Sequence, residues 1–344
     1  MLYIGVGGFT CAGKTTVTRI LQQLLQKCYN LTVHCVNQDV YYKEPHDIEP
    51  LPGFDHYKYD HVDAVHWPKL VSDLRSHDPS TDVCIVEGNM IYLVNDLSSL
   101  FTLRYLLTLS EHECRARRAS RTDYVPADVP GYFDQYVWPQ CRAHMDEIHR
   151  SNEKSTNDKA IKFFDAQSMS ASQIAHRIFS DVSRELNMHD WVHLQREALD
   201  VQTAVDFVTA PNCGAVSLFV GTTRDNFEGQ VVERLEYECY EQMARNEMKH
   251  LCEQARQQWT DIHGIAVLHR LGVVPVCEAS VIIAISAPHR DCALRATDWA
   301  ITQLKRTVPI WKKEVYKSGN TAWKENKECQ WKNDQIDNDS PRVS

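Results

Sequence analysis

The 344-residue chain reads as an α/β half, a parallel sheet with helices on both faces, followed by an α+β half. Three observations predict this. An apolar run, Leu2-Tyr3-Ile4-Gly5-Val6, feeds a glycine-bounded loop, Gly8-Phe9-Thr10-Cys11-Ala12-Gly13-Lys14-Thr15, and then a helical pattern. Strand-like runs then recur at 31–36, 83–86, 103–109 and 160–164, separated by helix-period segments, the alternation of a parallel sheet. From about Trp191 the pattern changes to runs at 215–220, 231–237, 265–268 and 280–286, with amphipathic helices at 242–258 and 291–306. Capping residues Ser168 to Gln173 open a helix that ends near Asn187, so the boundary is placed at 188/189; Ser151–Lys159 reads as a surface loop inside the first domain.

Bulk properties narrow the function. A hydrophobic content of 43% supports a large core, and the length suggests two domains. The net charge of −9 gives no global attraction to nucleic acid or membrane surfaces. Twelve cysteines without a C-x-x-C pair, and no basic-then-apolar leader, point to a reducing cytosol. The longest apolar runs are far short of a membrane span.

The first loop is where chemistry is most legible. Glycines at both ends, Gly8 and Gly13, let backbone N–H groups turn inward around phosphate oxygens, Lys14 reaches the β- and γ-phosphates, and Thr15 holds Mg²⁺. The helix from Lys14 to about Lys27, with Val17, Ile20, Leu21, Leu24 and Leu25 on one face, aims its positive end at the same anion. A glycine turn that binds nothing is the alternative. The dinucleotide fingerprint fails for lack of its last glycine. Phosphoryl transfer also needs carboxylates at strand ends beside the loop, and Asp39 and Glu87 sit there. Each read singly is also a helix cap.

The strings Q-D-V-Y-Y-K (38–43), K-Y-D (58–60), I-V-E-G (85–88) and P-A-D-V-P-G-Y-F-D-Q-Y-V-W-P (126–139) make residues 1–187 resemble nicotinamide riboside kinases, relatives of uridine kinases. The resemblance implies ATP-dependent phosphorylation of a ribose 5′-hydroxyl. Asp39 is then the general base, Asp60 binds the ribose diol, and Tyr59 and Tyr132 flank the pyridinium ring. Lys14, Thr15 and Thr16 hold the nucleotide, and Thr15 and Glu87 serve Mg²⁺. Arg115, Arg117, Arg118 and Arg121 form a cationic lid, with Arg118 and Arg121 as the phosphate contacts; the chain is one residue longer than the family pattern between Arg118 and Tyr124. A uridine/cytidine-type kinase and a nucleotide-binding but silent scaffold are the alternatives; the presence of Lys14, Asp39 and Glu87 weighs against the scaffold.

The second half has no phosphate loop but gathers Arg224, His289, Arg290, Lys305, Lys312 and Lys313 in acidic surroundings. Composition alone reads these as a solvated basic edge. With Pro309 ending a helix between them, Lys305 and Lys312 can also face one cleft, where cationic neighbours lower a lysine pKa. The strings F-V-G-T-T-R-D-N-F-E-G (219–229), L-E-Y-E-C-Y (235–240), H-R-L-G (269–272), S-A-P-H-R (286–290), L-K-R-T-V-P-I-W-K-K-E (304–314) and W-K-E-N-K-E-C-Q-W (323–331) resemble the catalytic large subunit of molybdopterin synthase across residues 190–334. That resemblance implies insertion of two sulfurs into cyclic pyranopterin monophosphate, with sulfur carried by the thiocarboxylated C-terminus of a ubiquitin-like small subunit. Lys305 and Lys312 are then catalytic, Arg224, His289 and Arg290 bind phosphate and pterin, and the domain forms a homodimer with no permanently bound cofactor. Cys239, Cys292 and Cys329 read as packing residues, and Arg295 as a departure touching only a salt bridge. A docking module without activity is the alternative for this half. The sequence thus predicts a cytosolic fusion of two enzymes with small-molecule substrates.

Overall fold

The structure is a computed structural model and describes every residue except 77, 79, 122–126, 154–159, 228 and 325–344. Parts of five expectations lie outside the described residues: the start of the 126–139 block, the segment up to Tyr124, the end of the 151–159 loop, Glu228 of the 219–229 string, and most of 323–331 with Cys329. The chain divides into two compact units, Met1–Val182 and Ser183–Ser344.

In the first unit β1 (Leu2–Gly8) leads into α1 (Lys14–Tyr29), followed by β2 (Val33–Asn37), α2 (Trp67–Arg75), β3 (Val83–Gly88), α3 (Asn95–Ser98), β4 (Leu103–Thr108), α4 (Glu111–Ala119), α5 (Trp138–Glu153), β5 (Lys162–Asp165) and α6, which starts at Ala171 and runs to Glu185. The five strands pair in parallel in the order β2-β3-β1-β4-β5. Each expected strand run falls on one of these strands, to within a few residues.

Side-chain alternation along the strands assigns the faces. Cys84 and Val86 of β3 pack with Leu70, Val71 and Leu74 of α2. On the other side of β1, Leu106 of β4 packs with Ile148 of α5 on that same face. Tyr105, one residue away and therefore on the opposite face, reaches Asp181 of α6 with its hydroxyl at 3.0 Å, and Tyr29 of α1 stacks on Phe179 of α6 at 5.2 Å. Both faces are thus helix-covered, as a buried parallel sheet requires.

Two glycines in β1 have a packing reason that periodicity does not display. A Cβ on Gly7 would lie 2.5 Å from Cε2 of Tyr92, and one on Gly5 would meet Phe101 and the Tyr92 hydroxyl at 2.8 Å. Tyr92 lies across the sheet there, donating to the Gly5 carbonyl at 2.7 Å and accepting from the Tyr105 N–H at 2.9 Å.

The second unit holds β6 (Asp190–Gln195), α7 (Val201–Val208), β7 (Ala215–Thr222), β8 (Asn226–Phe227), β9 (Gln230–Cys239), α8 (Glu241–Gln258), β10 (Gly264–Arg270), β11 (Gly272–Pro275), β12 (Ala279–Ala287), α9 (Arg290–Thr307), β13 (Ile310–Tyr316) and β14 (Thr321–Lys324). One sheet runs β6-β10-β12-β7, with β6 and β10 parallel and the other pairs antiparallel. A second runs β11-β9-β13-β14, with β8 on β9. Val192 and Leu194 of β6, Ile283 and Ile285 of β12, Met248 and Leu251 of α8, and Ala296, Ala300 and Leu304 of α9 share one core, against which Cys239 and Cys292 pack. Trp191, of opposite parity on β6, meets Phe207 of α7 at 5.4 Å on the other face. Strands β6, β11, β13 and β14 and helix α7 are elements that periodicity did not bring out. Among the described residues no helix is long and apolar enough to cross a membrane.

Gly7→Ala is expected to lower the stability of the first unit by about 2 kcal/mol, because the new Cβ would lie 2.5 Å from a Tyr92 ring whose hydroxyl is tied to Gly5 and Tyr105. Denaturant unfolding monitored on the isolated transition of that unit checks this; an unchanged midpoint contradicts it.

Candidate functional sites

The carboxyl ends of parallel strands all point to one edge of the sheet, and the first unit's cavity lies there. Its volume is about 910 Å³. Register brings the ends together: Glu87 of β3 pairs with Val6 of β1 on one side and Asn37 of β2 on the other. Gly13 closes the loop after β1 with φ of +86°, a left-handed conformation that favours glycine, and α1 starts at the next residue.

Lys14, Thr15, Thr16, Asp39, Tyr59, Asp60, Glu87, Arg118, Arg121 and Tyr132 all line this cavity with Gly13, as expected for one site. Gly8 shapes the loop from the end of β1 and is not in the lining. The Thr15 hydroxyl donates to Oε2 of Glu87 at 3.0 Å. Lys14 turns its ammonium back onto the loop, donating to the carbonyls of Phe9 at 2.9 Å and Gly8 at 3.2 Å. Asp39 is exposed, its backbone N–H held at 2.8 Å by the Asn37 side chain at the start of a short 3₁₀ turn.

Three of the expected residues have partners the sequence did not foretell. Asp60 is buried and accepts from Nδ2 of Asn89 at 3.2 Å; Asn89 in turn accepts from the wholly buried Gln38 at 2.7 Å. Burial pushes the Asp60 pKa up to about 6, with Asp128 and Asp39 adding to the rise and Arg118 and Lys14 opposing it. Glu87 is raised as well, first by burial, against the Thr15 hydrogen bond and Lys14. Arg118 is buried at 8% exposure and clasps Asp128 through two nitrogens at 2.5 and 2.9 Å while donating to the Thr10 hydroxyl at 3.0 Å. Tyr132 is 1% exposed, with its hydroxyl on the Tyr57 carbonyl at 3.1 Å. Of the lid set, Arg115 is taken up by Glu111 and Asp134, and Arg117 by Glu113.

Asp128, Asn89, Gln38 and His56 belong to this site and were not singled out from sequence. Asp128 lies inside the 126–139 block and Asn89 directly follows I-V-E-G, so the motif neighbourhoods held the signal. His56 had none, since its role depends on which rings fold against it.

In the second unit the expectation of a single pocket around Arg224, His289, Arg290, Lys305 and Lys312 meets a correction. In the antiparallel β7–β12 pair, Ala215 lies opposite Ala287 and Thr222 opposite Ala279. Arg224 follows the end of β7, and His289 and Arg290 follow the end of β12, so they leave opposite ends of the pair. Seven strand steps separate those ends by about 23 Å. Helix α9 starts at Arg290 and carries Lys305 back by about 22 Å, toward the Arg224 end. Phe227 ties the rest of that end together: it lies three residues past Arg224, and the Lys312 ammonium is 5.8 Å from its ring centre. No one copy of the chain holds all five groups around one small ligand.

Lys312 has a further partner. On β13 it shares a face with Glu314 and Tyr316, at alternating positions. Its ammonium lies 3.2 Å from Oε1 of Glu314, which is 2% exposed and accepts from the Tyr316 hydroxyl at 2.6 Å. Lys313, facing the other way, pairs with Glu236 at 3.3 Å. Lys305 is exposed in the last turn of α9, and His289 caps that helix without a side-chain hydrogen bond. Arg295 forms an exposed pair with Asp291 at 2.9 Å.

Comparison with known proteins places the second unit. A family model described as MoaE protein matches residues 194–307. The molybdopterin synthase catalytic subunit of Culex quinquefasciatus is 54% identical over 151 residues, which span 43% of this chain and 96% of that protein. That of Taeniopygia guttata is 55% identical over 150 residues, 44% of this chain and 96% of that protein. Among solved structures, a sugar kinase from Janibacter sp. HTCC2649 is similar over 53% of this chain and 95% of that chain, at 14% identity and a TM-score of 0.35. Through its second unit, the chain belongs to the molybdopterin synthase catalytic subunit family.

Proposed function

We propose that the chain carries two activities: sulfur transfer to cyclic pyranopterin monophosphate, giving molybdopterin, in the second unit, and ATP-dependent phosphorylation of a riboside 5′-hydroxyl, with nicotinamide riboside as the acceptor, in the first. The observation that carries the kinase reading is the meeting, in one cavity, of the Gly13–Lys14–Thr15 turn, the Thr15–Glu87 contact and the carboxylates Asp39 and Asp60.

The donor set suits the nucleotide. The backbone N–H groups of the turn and of the start of α1 donate to phosphate oxygens, and Lys14, now resting on loop carbonyls, exchanges those weak partners for phosphate. The Thr15 hydroxyl and the Glu87 carboxylate are hard oxygen donors at hydrogen-bond separation, so they would hold Mg²⁺ with phosphate and water completing its shell. When bound, the metal neutralises charge on the transferring phosphoryl group. Asp39 accepts the proton of the 5′-hydroxyl, and Asn37 orients its backbone. Asp60, aimed by the Gln38–Asn89 relay, accepts both hydrogen bonds of the ribose diol. Arg118 is held by Asp128 and by the Thr10 hydroxyl, so it reaches phosphate only by giving up those contacts.

For the sulfur transfer, family membership supports Lys305 and Lys312 as the working amines. Glu314 orients Lys312 through the contact at 3.2 Å. Because one copy sends Arg224 and the His289–Arg290 pair to opposite ends, we read the substrate site as shared: Arg224, Lys305 and Lys312 from one copy, His289 and Arg290 from a second in a twofold dimer. The thiocarboxylated small subunit supplies the sulfur.

Asp39→Asn is expected to lower kcat for riboside phosphorylation by roughly 10²–10⁴-fold with nucleotide affinity retained. KM for the riboside should rise about tenfold per pH unit below pH 6 as Asp60 protonates, its carboxylate being charged above its pKa of about 6; a flat profile in coupled ADP-release assays contradicts that role. Lys305→Ala should remove dithiolene formation, by roughly a hundredfold or more, and leave the kinase rate unchanged. Arg224→Ala and Arg290→Ala, each inactive alone, should recover about a quarter of wild-type synthase activity when mixed and reassembled, since half the dimers then hold one intact site. No recovery would place all groups of the site in one copy.

A further inference from the structure

The loop Leu51–His56 folds back on itself, with the Leu51 N–H donating to the His56 carbonyl at 2.9 Å and Gly53 turning at φ of +83°. It delivers the His56 side chain into the cavity described above, beside Asp60. The residue is 6% exposed. Its ring centre lies 4.2 Å from that of Tyr132 and 5.5 Å from that of Tyr59, the two rings expected to flank the acceptor's base. Among the described residues no group hydrogen bonds to either ring nitrogen. Neither of these nitrogens is a sealed-off polar atom, so the imidazole offers its hydrogen-bonding capacity to the cavity, where water or a ligand can take it up.

We infer that His56 reads the base of the acceptor riboside: as a neutral ring it hydrogen bonds to a polar substituent of that base, and once protonated it disfavours a base that carries positive charge. This rests on the riboside-kinase reading and adds the group that sets base preference. The direction follows from position. Asp39 and Asp60 anchor the ribose, which leaves the base to extend toward the Tyr59–Tyr132 pair that His56 touches. Imidazolium and pyridinium a few ångströms apart repel, whereas a neutral base loses nothing on protonation of His56. The charged and titratable groups around the ring are Asp128, Arg118, Asp55, Asp60 and the two tyrosines. Burial, and then Arg118, lower the His56 pKa against the opposing pull of Asp128 and Asp55, so the ring is uncharged at neutral pH.

The test uses the full chain and the ratio of kcat/KM for nicotinamide riboside to that for uridine, from pH 7.5 to pH 5. Titration of Asp60 acts on both ribosides and cancels in the ratio. In the wild type the ratio should fall about tenfold or more as pH drops below 6.5. In His56→Gln, which keeps a hydrogen-bonding side chain without titration, it should stay flat. In His56→Phe both ribosides should weaken at pH 7.5, with unchanged binding of a fluorescent ATP analogue confirming an intact cavity. A flat wild-type ratio, or a slope that survives in His56→Gln, overturns the inference. If neither riboside is phosphorylated, the kinase reading fails separately, and His56 is decided by equilibrium titration of the same two ribosides into the same three proteins.

Discussion

The hydrogen bond between Thr15 and Glu87 is the point from which the first unit is best understood. It joins the first turn of α1 to the end of β3 across neighbouring parallel strands, and register sets Glu87 beside Val6 and Asn37. Parallel strands deliver all their carboxyl ends to one edge. Each chain segment leaving that edge, the phosphate loop, the turn with Asp39 and the segment with Asn89, therefore lines the same hollow. Tyr92, packed over Gly5 and Gly7, bridges β1 and β4 through its hydroxyl, which bonds to Gly5 and to Tyr105.

The second unit obeys the opposite rule. Antiparallel strands send successive ends to opposite edges, so residues that follow β7 and β12 are separated by the full length of the pair. A cationic set that looks like one cluster along the chain is thus split in two. The twofold dimer proposed above would reunite the halves, because a twofold axis brings one end of each copy to the other. The Lys312–Glu314–Tyr316 row, anchored on the buried Glu314, belongs to one of those ends and orients a charge within one copy.

How much was legible depended on whether a residue's role is local. Lys14, Thr15, Asp39, Asp60 and Glu87 follow strands or sit in short strings, and all five reached the cavity lining as expected. The strands of the first sheet were legible for the same reason, their apolar runs being continuous. Strands β13 and β14 were not, because their Lys-, Glu- and Trp-rich strings lack an apolar run and gain their place by pairing with β9 and with each other. Asp128 was quoted but not singled out, since nothing in the string tells that it would take Arg118 away from phosphate. His56 and Asn89 acquire meaning only from distant rings and carboxylates.

The amino-acid order alone determined the two-part organisation, the glycine-bounded turn after β1 and the set of candidate site residues, because glycine placement, periodicity and short strings are properties of neighbouring residues. Tertiary structure alone decided which of those side chains share a space. Sheet direction sorted the carboxylates of the first unit into one hollow and divided the cations of the second between two ends, and strand direction is a consequence of long-range pairing that no local string encodes.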